Sequence, residues 1–232
     1  MNWNQVLFDV FPFVALTLAV VGTVVRWRAK PSTVSSLSSQ LLERRKLYWG
    51  SVAFHWGITI LLLAHLVVLI LPRSVERWNQ VPARHYALEM TGLALGVWTL
   101  VGLGILIFRR LSEPKVKAVT SSMDLVLLAV LALQVVTGLW IALGYRFGSQ
   151  WAPAVFVPYI RSLLLLQPRS DLVAALPWVL RLHAFTFFVL LALFPFSRLV
   201  HILSLPLGYL TRPWQIVLRI RPRSVASPQP RP

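Results

Sequence analysis

The chain has 232 residues, of which 57% are hydrophobic and only 13% are charged. This composition excludes an ordinary soluble globular domain and is typical of a membrane protein. The sequence has no cysteine, which excludes disulfides, thiolate catalysis and iron–sulfur clusters held by this chain. The net charge of +16 could indicate a nucleic-acid partner. Since the basic residues flank apolar segments, we expect membrane lipid and no nucleic acid.

Five apolar stretches are long enough to cross the ~30 Å hydrocarbon core of a bilayer. In chain order they are residues 6–25, 48–71, 85–108, 123–143 and 176–199. The first lacks a basic segment and a small-residue cleavage site, so we interpret it as a retained helix rather than a signal peptide. The predicted fold is all-α, a polytopic membrane bundle of five transmembrane helices.

The basic residues of the connections predict the orientation of this bundle. The connections after the first and third helices, together with the C-terminal segment, hold 15 Lys and Arg, including all four Lys. The remaining N-terminal segment and connections hold seven. The positive-inside rule therefore predicts an N-terminus outside and a C-terminus in the cytoplasm.

The sequence predicts one domain followed by a short tail. Residues 1–220 are predicted to form the transmembrane domain, and the Pro- and Ser-rich residues 221–232 a disordered cytoplasmic tail. Between the fourth and fifth helices, residues 159–166 are apolar enough to lie on the membrane surface as a short helix.

Three of the five histidines lie inside the second and fifth predicted helices, and His201 lies two residues beyond the end of the fifth. Imidazole is costly in hydrocarbon, so these positions call for a function. Given the orientation, His65 and His183 share the outer depth, and His55 and His201 the inner depth. Each pair would supply two axial ligands to one iron. The sequence therefore predicts two haems, and without cysteine they must be non-covalent b haems. Residues 1–220 are accordingly predicted to be a transmembrane dihaem cytochrome b domain.

The spacing of these histidines does not match between the two helices. The 18 residues from His183 to His201 rise about 27 Å in a straight helix, but the 10 residues from His55 to His65 rise about 15 Å. Helix tilt and a break at Pro195 could absorb the difference. The alternatives are hydrogen-bonded packing histidines or a histidine-lined metal or proton transporter, for which Glu89 and Asp124 are the nearby carboxylates. Asp124 is more simply the partner of a helix dipole.

The chain resembles the gamma subunit of respiratory nitrate reductase, a membrane cytochrome b, in RRKLYWGSVAFHWGITILLLAHL, RRLSEPKVKAVTSSMD and RLHAFTFFVLLALFPFSRLVHILSLPLGYLTR. The third stretch is the most specific, with two histidines, FPFSRL between them and a P-x-x-Y-L-T-R ending. The resemblance covers nearly all of the chain except residues 144–175 and the tail. It implies five helices, an outside N-terminus and the haem ligands His55, His65, His183 and His201, in the same pairs.

The resemblance also implies a function. A membrane quinol, menaquinol or ubiquinol, is oxidised near the outer haem, and electrons pass through both haems to an iron–sulfur (beta) subunit on the cytoplasmic face. A molybdenum-containing (alpha) subunit then reduces nitrate. The implied location is the plasma (inner) membrane of a bacterium or archaeon. A related cytochrome b of another respiratory complex, such as a sulfur-redox complex, is the alternative.

Two departures from the family pattern lie at the quinol end. The family has Gly where this chain has Ala64, and Lys where it has His85. Because histidine accepts a proton at neutral pH more readily than lysine, we expect His85 to lie near His65 in the quinol site. The alternative for His85 is an exposed interfacial loop residue.

Two expectations concern the cytoplasmic side. Three arginines lie where they could form ion pairs with haem propionates, namely Arg109, Arg110 and Arg198. Arginine at a membrane boundary more commonly snorkels to the interface or orients the chain. The resemblance implies that the face with residues 206–220, which carry Tyr209 and Trp214 among apolar neighbours, docks the iron–sulfur subunit. The alternative is that this segment rests on the lipid headgroups.

Overall fold

A computed structural model describes residues 2–30, 33–34, 39, 42–145 and 147–204. Within these residues the structure is helical and has no strand. Five helices are long and apolar enough to cross a membrane: α1 (Trp3–Ala29), α2 (Arg45–Ile70), α3 (Pro82–Ser112), α4 (Ser122–Gly144) and α5 (Trp178–Leu193), the last extended by a 3-10 turn at Phe194–Phe196. The predicted all-α fold and the five spans are confirmed for this part of the chain. The orientation of the termini stays a prediction, and residues 205–232 lie outside the described part.

Proline shapes the start of α1. Pro12 has no N–H to donate to the carbonyl of Phe8 one turn earlier, and the helix widens there into a π-helical turn at Val6–Val10. The freed carbonyl of Phe8 accepts a hydrogen bond of 2.5 Å from the Tyr159 hydroxyl. Because Tyr159 is completely buried, this bond fixes the connection between α4 and α5 onto α1.

Short helices occupy the connections: Pro72–Asn79, Pro114–Lys117, Val157–Leu164 and Ser170–Ala174. The predicted short helix at residues 159–166 is present, but it does not simply lie on a membrane surface. Tyr159 and Leu163 pack into the cluster that α1 and α5 build around Phe8 and Phe188. Burial and the neighbouring Asp9 carboxylate raise the pKa of Tyr159, so its hydroxyl stays a donor at neutral pH.

The helices pack in an order that matters for the histidines. Within the described residues, α2 packs mainly against α3, while α5 packs against α1 and α4. The α2–α3 contact is close because a Cβ on Gly57 would collide with Thr99, and one on Gly102 with the backbone at Phe54. In the same part of the chain, α2 and α5 have no comparably extensive contact, so these two helices do not pack directly against each other.

Candidate functional site

The structure brings His55 and His201 together at one end of the bundle. Their ring centroids are 6.1 Å apart and their planes are inclined by 70°. His55 projects from α2, whereas His201 lies in a 3-10 segment, Arg198–Ser204, that follows α5. The expectation that His201 lies beyond the regular helix after Pro195 is confirmed.

The other two histidines lie farther along α2 and α5, toward the opposite end. His65 lies on the surface of α2, and His183 lies in α5. His55 and His201 are thus spatial neighbours, whereas the pairing of His65 with His183 and the role of all four as iron ligands stay predictions. Within the described residues, no group of three or more His, Cys, Asp or Glu side chains could hold a metal ion; the histidines come in twos.

On three of the four imidazoles, a backbone carbonyl accepts the proton of Nδ1. Nδ1 of His55 donates to the carbonyl of Ser51 at 2.8 Å, and Nδ1 of His65 to that of Leu61 at 2.7 Å. Nδ1 of His201 donates to the Arg198 carbonyl at 2.5 Å. A ring protonated on Nδ1 carries its lone pair on Nε2, which is the state a metal-binding histidine needs.

His183 is held differently, by side chains of α4. The Thr137 hydroxyl donates to the Leu133 carbonyl at 2.8 Å, so its oxygen accepts from Nδ1 of His183 at 2.9 Å. The Gln134 amide donates to Nε2 at 3.2 Å, and Thr186 donates to the same amide. A Cβ added at Gly138 would lie 3.2 Å from Cε1 of His183, so glycine leaves room for the ring.

The sequence reasoning missed these α4 residues. Gln134 and Thr137 are polar residues three positions apart in an apolar helix, which places them on one face. That pattern is the signal that could have indicated a polar partner for a histidine on a neighbouring helix.

His85 is not the exposed loop residue of the alternative interpretation. It lies in the first turn of α3, only 2% exposed, because the segment after α4 covers it. Nε2 of His85 donates to the Ser149 hydroxyl at 2.6 Å, and that hydroxyl donates to Glu89 at 2.9 Å. The Phe147 ring stacks on the imidazole with centroids 4.9 Å apart. Ala64 lies exposed on α2, and the expectation that His85 lies near His65 in a quinol site stays a prediction.

The three arginines expected near haem propionates have carboxylate partners of this chain. Arg109 is buried and pairs with Glu43 at 2.7 Å. Arg110 and Arg198 both pair with Asp124, at 2.9 and 2.6 Å. The dipole interpretation of Asp124 is therefore incomplete, because this carboxylate also links α3 and α4 to the segment after α5.

These features define a class: a multi-pass helical membrane protein with His55 and His65 on its second spanning helix, His183 on its fifth, and His201 beside His55 in the segment after the fifth helix. Residues 4–220 match the family described as nitrate reductase gamma subunit. The chain belongs to this family.

Individual relatives agree with the family match. The chain is 31% identical to respiratory nitrate reductase 1 gamma chain of Escherichia coli (strain K12), with 92% of this chain and 96% of that protein covered. It is 30% identical to nitrate reductase gamma chain of Bacillus subtilis (strain 168), over 92% and 97%. It is 36% identical to nitrate reductase-like protein NarX of Mycobacterium tuberculosis (strain ATCC 25618 / H37Rv) over 94% of its own length, but spans only 34% of that longer protein.

Proposed function

We propose that this chain is the membrane-anchor cytochrome b subunit of a respiratory nitrate reductase. It would hold two b haems between α2 and α5, one on His55 and His201 and one on His65 and His183. Membership of the gamma subunit family supports the complex. The observation that carries the cofactor assignment is the 6.1 Å separation of the His55 and His201 rings.

This separation fits two imidazoles on opposite sides of one metal. A bond from a metal to an imidazole nitrogen is about 2 Å long, so the two ligating nitrogens would be about 4 Å apart. Each ring centre lies about 1 Å behind its nitrogen, which gives centroids about 6 Å apart. The Nδ1 bonds of His55 and His201 direct the lone pair to Nε2 on both rings. At His183 the Gln134 amide donates to Nε2, so ligation there requires that amide to turn away.

When bound, the two haems would supply one-electron carriers at two depths of the membrane. The chain's own residues would hold them through one imidazole of α2 and one of α5 or the segment after it at each site. We place the N-terminus outside and the C-terminus in the cytoplasm, because the basic residues concentrate at the end of the bundle that carries His55 and His201.

The quinol, menaquinol or ubiquinol, would be oxidised at the other end, near His65. The hydrogen-bonded chain from His85 through Ser149 to Glu89 can hold one proton and pass it between imidazole and carboxylate. A carboxylate inside a membrane span is costly and marks a functional position, which supports this group as the proton acceptor of the quinol site.

The partners would be an iron–sulfur (beta) subunit and a molybdenum-containing (alpha) subunit on the cytoplasmic face, with nitrate reduced on the latter. The location would be the plasma membrane of a bacterium or archaeon. The predicted docking segment, residues 206–220, lies outside the described residues, so its role rests on the sequence alone.

The visible spectrum of the purified chain tests the cofactor assignment. We expect a reducible Soret and alpha band, two haems per chain, and reduction of both by a quinol analogue. A chain without haem would overturn the proposal and favour the histidine-lined transporter. Haem that a quinol analogue does not reduce would overturn the quinol site alone.

His85→Leu tests the quinol site separately. We expect slower quinol oxidation, because the change removes the imidazole that would accept a proton. We expect both haems to be retained, because leucine still fills the buried position. Tyr86→Leu is the matched control, since Tyr86 is the exposed neighbour on the same turn and turnover should change little. Unchanged turnover in His85→Leu would leave His85 with a packing role.

A further inference from the structure

His201 lies in a part of the chain that an α-helix does not support. After Leu193 the chain makes a 3-10 turn containing Pro195, and Ser197 is then extended, with φ −109° and ψ −177°. His201 follows in the 3-10 segment Arg198–Ser204. Such segments have poorer hydrogen-bond geometry than an α-helix, so the position of this imidazole has to be set by tertiary contacts.

Arg198 connects His201 to α4 through two groups, its guanidinium and its backbone carbonyl. Its guanidinium donates to both oxygens of Asp124, from Nε to Oδ1 at 2.6 Å and from Nη2 to Oδ2 at 3.1 Å. Its carbonyl accepts the Nδ1 proton of His201 at 2.5 Å. The side chain of Arg198 is thus tied to α4, and its backbone orients the imidazole.

Asp124 is itself held firmly. Only 5% of the residue is exposed. Its carboxylate accepts from the Ser121 amide at 3.1 Å in a capping box at the start of α4, and from Arg110 of α3 at 2.9 Å. Exposed ion pairs contribute little, whereas a buried two-point arginine–carboxylate pair fixes geometry. Asp124 can therefore act as a fixed point for Arg198.

We propose that Asp124 is a positioning residue for His201, acting through Arg198. This inference rests on the proposed function, because the consequence of positioning His201 is the geometry of the inner haem. Groups one step removed from a metal ligand, as the Arg198 carbonyl is here, typically change metal affinity about 10- to 100-fold when they are removed, and Asp124 holds the residue that supplies this group. The negative charge of Asp124 also favours the oxidised, more positive iron.

Asp124→Asn tests the proposal on the purified complex. Asparagine keeps the shape and can still accept the Ser121 amide, but it loses the charge that holds Arg198. We expect a shifted low-spin EPR signal and a higher midpoint potential for the inner haem, with the outer haem unchanged. A merely structural role would lower the yield of folded protein and affect both haems alike. Asp171→Asn, at the exposed Arg169–Asp171 pair, is the matched control and should change neither haem.

Two further variants show whether Asp124 acts through Arg198. Asp124→Glu keeps the charge but moves the carboxylate, so we expect the EPR shift with little change in potential. In a chain with Arg198→Gln, adding Asp124→Asn should produce no further shift of the EPR signal, although the lost charge should still raise the midpoint potential. Additive EPR shifts, or an inner haem that is unchanged in both Asp124 variants, would overturn the inference while leaving the haem assignment intact. A wild-type chain without haem would instead overturn the proposed function.

Discussion

The two proposed histidine pairs, called inner and outer after the proposed orientation, are built in different ways. At the inner pair, His201 lies outside regular helix, its Nδ1 donates to a backbone carbonyl, and ion pairs hold its segment. At the outer pair, His183 lies within α5, and its Nδ1 donates to the Thr137 side chain of a neighbouring helix. A residue within a long helix gains its position from the helix itself. A residue beyond a helix break needs tertiary anchors.

Arg26 of α1 adds another anchor at the inner end. Its Nη1 donates to the carbonyls of Pro195 and Ser197, at 2.7 and 2.9 Å. The segment that carries His201 is therefore bound by Arg26 on one side and by Asp124 on the other. The inner end therefore depends on charge, whereas the outer end depends on neutral hydrogen bonds and on the space that Gly138 leaves beside His183.

The largest expected effect comes from removing a ligand. His65→Ala or His183→Ala should each remove the outer haem, and His55→Ala or His201→Ala the inner haem. Each site then keeps one axial nitrogen, which leaves a weakly held iron. Resolving the two haems by EPR or redox titration checks the result. If His55→Ala and His183→Ala abolish the same spectral component, the pairing is wrong.

The next largest effect should follow from filling the space beside His183. Gly138→Val adds a Cβ 3.2 Å from Cε1 of the ring, and the branched methyl groups crowd it further. We expect loss of most of the outer haem with the inner haem retained, measured as the haem-to-protein ratio. Gly92→Val is the control because a Cβ there meets nothing within 4 Å. Equal haem loss in both variants would point to general destabilisation.

Much of this arrangement could be predicted from single stretches of sequence. The apolar runs gave the five spans, and Pro195 indicated the break before His201. The apparent mismatch in histidine spacing arose from treating residues 183–201 as one straight helix. Because the chain turns after Leu193, the rise per residue of an α-helix does not apply beyond that point.

The remaining features depend on contacts between distant parts of the chain. Asp124 and Arg198 are 74 positions apart, and no local pattern indicates that an arginine at a membrane boundary will bind a carboxylate rather than a propionate. The burial of His85 likewise depends on Ser149 and its neighbours, 64 positions away. Hydropathy describes how long an apolar helix is, but not which of its faces meets which partner.

A smaller effect should show whether a histidine held by a side chain is more sensitive to mutation of its partner than one held by a backbone carbonyl. Thr137→Val is nearly isosteric and removes the acceptor of the His183 Nδ1 proton, which leaves a buried donor unpaired at a cost of about 1–3 kcal/mol. We expect about tenfold weaker retention of the outer haem and a shifted potential. Ser51→Ala is the inner counterpart, where the Ser51 carbonyl still accepts from His55, so the inner haem should hardly change. Equal effects of the two changes would remove this distinction between the pairs.

The smallest expected effect is a pH dependence of the stabilisation that Glu43 provides at the inner end. Burial raises the pKa of Glu43, but hydrogen bonds from the Lys46 and Leu47 amides and from Arg109 outweigh burial and hold this pKa below its ordinary value of 4.5. Since the pKa is lower in the folded state, the stabilisation is fully present above about pH 4.5 and is lost as the pH falls through the folded pKa. The thermal midpoint of the wild-type chain should therefore exceed that of Glu43→Gln at pH 7, and the difference should shrink below about pH 4.5. A difference that stays constant with pH would mean that the charge of Glu43 does not support the inner end.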